Sequence, residues 1–173
     1  MTQRKVSPGA PGEHLVRELA WVHGMVRRDL RTVQELAARV ASGASSTHIT
    51  TTIRSLQTRG PLWQLRVNCL QYCQFVHHHH ESESAMLFPA LRRADPTLGR
   101  TVDRLESDHK KVAVLLDTVE DLAKALGDGQ NADTRRALIG ALTDLATHLL
   151  EHLDFEEKSI NPTLRKWRKW PWQ

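Results

Sequence analysis

The chain repeats itself. Moved forward by 73 residues, the segment around His79 falls on the segment around His152. His79 meets His152, Glu83 meets Glu156, Leu87 meets Ile160, Pro89 meets Pro162, Leu91 meets Leu164 and Arg92 meets Arg165. Moved by 86 residues, the first segment falls on the third: Leu19 meets Leu105, His23 meets His109, Val26 meets Val112, Leu30 meets Leu116, Val33 meets Val119 and Leu36 meets Leu122. Such a chain is two hairpins of one design. The difference between the shifts, 13 residues, makes the first connection the longer one and matches the Thr-rich stretch at 46–58 in size.

Each repeated segment reads as a helix. Apolar residues recur at steps of three and four, β-branched residues are sparse outside the Thr-rich stretch, and no alternating run suggests a strand. The spacing predicts helices over about 13–41, 61–86, 95–126 and 133–159, with Pro89 breaking or kinking the second and Pro162 following the fourth. Asp95-Pro96 is a good start signal for the third. Ile49, Ile53 and Leu56 suggest a short extra helix in the long connection. The expected fold is all-α: an up-down-up-down four-helix bundle over 13–165 with that short helix between helices one and two. Residues 1–12, rich in Pro, Gly and charge, read as a disordered arm. Residues 166–173 read as a basic Trp-rich tail, whose tryptophans are expected to fold back over the bundle end.

Charge and cysteine content exclude several classes. The formal net charge is only +4, and basic pairs are interleaved with acids, so no nucleic-acid stripe is expected. No apolar run approaches the ~20 residues needed for a transmembrane helix. The N-terminus has no apolar core of a secretory signal. Cys69 and Cys73 are four apart, not in a C-x-x-C pair, and read as reduced core residues of a cytoplasmic protein.

The stretch FVHHHHESESAMLFP holds four histidines in a row, 77–80. The repeat singles out His79, because it alone precedes both a carboxylate at i+4 and the proline as His152 does. Residues four apart on a helix share a face. His23 and His109 lie inside the apolar stripes of their own helices. Each helix thus aims a histidine at the core, and two also aim a carboxylate there. An unpaired buried carboxylate is costly, and a metal ion removes the cost. Imidazole and carboxylate without thiolate suit iron, manganese or zinc. Four histidines and two carboxylates exceed one tetrahedral zinc and fit two metals bridged by carboxylates. Other motifs fail. A zincin would need histidine at 84, where Ser84 stands. The paired Glu-x-x-His of a ferritin-like site occurs once, as Glu106 to His109.

The order histidine, H-x3-E then L-F-P, Asp-His, H-x3-E-E then I-x-P resembles a hemerythrin-like protein of the H-HxxxE-H-HxxxE type found in actinobacteria. WVHGMVRRDL, MLFPALRRADP, VDRLESDHKKV and HLLEHLDFEE carry the likeness, over about 15–165. The resemblance implies a non-haem di-iron centre with two oxo- or hydroxo-bridged iron ions. Its ligands would be His23, His79, Glu83, His109, His152 and Glu156. His80 would be an extra ligand, turned 100° from His79 toward the second metal. His148, one turn before His152, is a further candidate. Tyr72 lies seven residues before His79 on the same face and reads as a packed core residue before a ligand. Ser84 departs from the commoner acid after the motif's Glu, which Glu157 keeps, and this weakens the case for symmetric outer hydrogen bonds. The implied partners are O₂, hydrogen peroxide or nitric oxide, in a monomer or homodimer. The implied function is reaction with O₂, hydrogen peroxide or nitric oxide as an oxygen or stress-response protein, with catalase-like peroxide decomposition as one form of it. The alternatives are non-catalytic binding, storage or sensing of O₂ or iron, and a di-iron oxidase or oxygenase with an organic substrate.

Overall fold

The computed structural model describes residues 9–42, 61–126 and 132–173. The stretch expected to hold the short extra helix, most of the N-terminal arm and His48 lie outside them. Helix α1 spans Glu13–Ala41 and α2 spans Pro61–Ser82. The backbone then winds through one π-helical turn, Glu83–Leu87, into α3, Phe88–Ala94. A 3₁₀ turn at Pro96–Leu98 leads into α4, Gly99–Ala125, and α5 covers Ala132–Leu164.

α1 packs on α2 and α5, and α4 packs on the same two, so the helices close a ring. The described residues form the expected all-helical bundle. Pro89 does not break its helix. It has no N–H to donate and cannot close a normal helical turn. The Phe88 N–H instead reaches the Glu83 carbonyl, five residues back, giving the wide π turn. That turn keeps Glu83 and Leu87 both buried. Pro162 lies inside α5, which runs past it to Leu164. The start of the third segment is as expected: the Asp95 carboxylate accepts from the Thr97 N–H at 3.1 Å.

The core is in two parts. One cluster holds Val26, Leu30, Cys69, Tyr72, Val76, Val112, Leu116, Leu145 and Leu149. The other holds Leu15, Leu19, Leu87, Phe88, Leu91, Leu105, Ile160, Leu164 and Trp170. Burying one such leucine contributes roughly 1.5–3 kcal/mol. The cysteines are free and buried, and burial pushes each thiol up to about 12. Between the clusters, every helix of the ring changes from apolar to polar and back. His23 separates Leu19 from Val26, His79 to Glu83 separates Val76 from Leu87, His109 separates Leu105 from Val112, and His152 to Glu156 separates Leu149 from Ile160. The fold places a polar layer across the middle of the bundle.

The start of α1 and the C-terminal tail lie at the outer end of the second cluster. The Gly12 N–H donates to the Arg165 carbonyl at 3.0 Å. Trp170 folds back and is buried, its indole N–H donating to Glu18 at 2.7 Å. No helix among the described residues is long and apolar enough to cross a membrane.

Candidate metal centre

The polar layer contains seven inward-facing donors: His23, His79, His80, Glu83, His109, His152 and Glu156. Six are fully or almost fully buried, and the His79 side chain is 10% exposed. His23, His79 and Glu83 form one group, with His79 Nε2 at 3.3 Å and His23 Nε2 at 3.6 Å from Glu83 Oε1. His80, Glu83, His109 and His152 form a second, with His109 Nε2 at 3.5 Å from Glu83 Oε2. Glu83 belongs to both groups, one oxygen toward each. Glu156 Oε2 lies 3.5 Å from His23 Nε2 of the first group and 3.6 Å from His152 Nε2 of the second.

Four consecutive histidines thus separate by helical rotation. His78 is exposed. His77 sits at the surface, 3.2 Å from Asp117. His79 and His80 point inward to different groups. The His80 ring stacks on His109 with centroids 4.0 Å apart. His148 requires a correction. It is exposed and lines a cleft with Arg104, Ser107 and Lys111, outside both donor groups. Sharing a face with His152 is not enough: at the level of His148 one turn earlier, α5 borders the surface cleft instead of the donor layer. Tyr72 stays in the apolar cluster, its hydroxyl without a hydrogen-bond partner among the described residues. Glu106, the acid of the lone Glu-x-x-His, pairs with Arg92 at 3.2 Å.

Two histidines are held from behind. His23 Nδ1 is 2.8 Å from Glu157 Oε1, and Arg27 donates to that same oxygen at 2.7 Å and to Asp154 at 2.6 Å. His109 Nδ1 is 2.9 Å from the Ser84 hydroxyl. By sequence Ser84 breaks the likeness between the halves. In space it does for His109 what Glu157 does for His23, since each follows its motif carboxylate by one residue. The two outer bonds are thus alike in geometry and differ in charge. Hydrogen bonds of this kind fix the ring and its tautomer, leaving Nε2 to face the donor group. Arg27 carries no motif of its own, and no spacing rule could have found it.

The donor set is far from satisfied by protein partners. His23 Nε2, His79 Nε2, His80 Nε2 and all four oxygens of Glu83 and Glu156 are buried without hydrogen bonds. Burial opposes a charge on His23, yet the bond to Glu157 and the carboxylates Glu83 and Glu156 raise its pKa to about 9. Burial lowers His79, and lowers His152 to about 3 with help from His109. Burial works against ionised Glu83, but His109 and His23 hold it well below the usual carboxylate range. Burial, and then repulsion from Glu83, raises Glu156 well above that range. Seven converging nitrogen and oxygen donors in a dry layer fit metal cations, which would satisfy every orphaned atom at once.

A family model, the hemerythrin HHE cation-binding domain, matches residues 14–164. The chain belongs to this family. The match spans both hairpins and every donor described above. Neither the curated proteins nor the solved structures compared with the chain give a match. Hemerythrin-like domains bind cations, and the His/Glu layer between the two core clusters is where this one offers donors.

Proposed function

We propose that this hemerythrin-like chain is a non-haem di-iron protein that decomposes hydrogen peroxide. The observation that carries the reading is the sharing of Glu83 between two donor groups. His23 and His79 would hold one iron, His80, His109 and His152 the other. Glu83 would bridge them, and Glu156 is near enough to both groups to join as a second bridge. Two adjacent irons, when bound, share the two-electron changes by which two molecules of peroxide become two of water and one of O₂.

The protein's own residues supply the rest. Glu157 with Arg27, and Ser84, keep His23 and His109 aimed inward. The apolar clusters on either side keep bulk water and diffusing radicals out of the layer. Reversible binding or sensing of O₂ is the second reading, favoured by the excess of histidine, five buried rings to two carboxylates.

Oxygen-electrode traces on the iron-loaded protein decide between them. Addition of peroxide is expected to release O₂ at half the molar amount consumed, and Glu156→Ala is expected to abolish the release. No O₂ release, with a spectrum that changes reversibly on cycling O₂, supports the second reading instead. Two irons per chain are expected by metal analysis. A single metal, or zinc alone after iron-replete expression, overturns the di-iron reading.

A further inference from the structure

A cavity of about 230 Å³ opens beside the first donor group. Its walls are Leu19 and Val22 of α1, Met86 and Leu87 of the π turn, and Trp170 and Trp172 of the C-terminal tail. Its inner end is formed by His79 and Glu83. The tail is positioned to serve as a wall. Trp170 is anchored by its bond to Glu18, Trp172 stacks on it with ring centroids 5.1 Å apart, and the Gln173 N–H returns to the Trp170 carbonyl at 3.1 Å. At the inner end, His79 Nε2 and both Glu83 oxygens are buried and unpartnered.

We propose that this cavity binds a small uncharged organic molecule with a body of about one ring and a single hydroxyl or hydroperoxide group. Size and chemistry both point to it. An apolar cavity of roughly 150 Å³ accepts benzene, so this one holds a single ring with a polar substituent. The walls are two indoles and four aliphatic or thioether side chains, which favour a flat apolar body. Among the described residues, the charged groups in the lining are the carboxylates Glu18 and Glu83, so the metal-free cavity rejects an anion. The polar group faces inward, toward the donor groups, because His79 and Glu83 make that end of the lining polar. Only that inward orientation rests on the metal-centre reading. Capture of the ring does not.

Fluorine NMR of 4-fluorophenol added to the full-length protein, metal-free and iron-loaded, tests the site. Saturable broadening by the phenol is expected in both forms, and none by 4-fluorobenzoate in the metal-free form. Trp172→Ala is expected to weaken binding at least about fivefold without changing the thermal midpoint, since Trp172 is 45% exposed. Val22→Phe is expected to abolish binding by filling the cavity. Trp21→Ala, at a tryptophan that does not line the cavity, is expected to leave binding unchanged. Equal binding by wild type, Trp172→Ala and Val22→Phe overturns the proposal, as does stronger binding of the benzoate by the metal-free protein. If the protein carries no di-iron centre but binds 4-fluorophenol with the expected variant pattern, the cavity stands and the metal reading falls. If two irons load and 4-fluorophenol is not bound, the cavity proposal alone falls.

Discussion

His79 and His80 are neighbours in the chain and members of different donor groups. One helical step of 100° separates them, and the bundle puts donors on both sides of that step. His79→Ala is therefore expected to lower bound iron well below two per chain. His78→Ala and His148→Ala are expected to leave it unchanged, because both side chains are exposed. Metal analysis by emission spectroscopy checks all three, and loss of iron in His148→Ala would reverse the assignment of that residue. Ser84 makes a subtler contribution. Removing a hydrogen bond behind a ligand histidine typically costs about 10–100-fold in metal affinity. Ser84→Ala is expected to lose affinity in that range while the fold is kept. Competition with a chelator measures it, and the conservative Ser84→Thr is expected to restore much of the loss.

The π turn and the junction of the start of α1 with the end of α5 show how whole elements are fitted together. The π turn arises where Pro89 cannot donate, and it keeps Glu83 on the inward face while the helix continues. At the other end of the second core cluster, α1 begins where α5 finishes. A Cβ at Gly12 would overlap the Leu164 carbonyl oxygen and lie 2.7 Å from the Trp167 carbonyl oxygen. Both are backbone atoms that a side-chain rotation cannot clear. Gly12→Ala is expected to destabilise the protein by about 1–3 kcal/mol, by separating the start of α1 from the end of α5. Denaturant midpoints of variant and wild type give the number. Gly24→Ala is the control, since a Cβ there meets nothing within 4 Å. An equal midpoint for Gly12→Ala and wild type would show that the close approach is not needed.

A bundle with a polar layer between two apolar cores carries an electrostatic load that metal relieves. In the metal-free protein, burial lowers His79, His80 (to about 2) and His152 (to about 3) from an ordinary 6.5. Below pH 6.5 the unfolded chain takes up protons on these three that the folded chain refuses, so stability falls as pH falls. His23, raised to about 9, acts in the other direction. Its contribution is fully present below 6.5 and is lost as pH rises through 9. Glu156, also raised, likewise loses its contribution with rising pH. Three lowered groups outweigh the raised ones on the acid side. The metal-free protein is expected to be most stable near pH 6.5, with the steeper decline toward acid. Urea midpoints at pH 5, 6.5 and 8.5 check this, and a maximum at pH 5 would contradict it.

The helical periods, the repeat and the spacing of His79 to Glu83 and His152 to Glu156 were readable from the chain alone. They depend on local geometry: a histidine and a carboxylate four apart share a face of any helix. The same rules found His23 and His109, because each interrupts an apolar stripe. They could not decide between His80 and His148, since each is one plausible step from a motif histidine and only the neighbouring helices determine which step points inward. They missed the bond from Ser84 to His109 and the chain from Arg27 through Glu157 to His23. Those partners lie 25, 130 and 134 residues apart. They left open whether Pro89 breaks or kinks its helix; the helix continues through a π turn. The tail was legible as basic and Trp-rich, with tryptophans expected to fold back over the bundle end, as Trp170 does. That Trp170 and Trp172 form a wall beside His79 and Glu83 follows from the meeting of the C-terminus with α1 and the π turn, contacts between distant parts of the chain that no local pattern encodes.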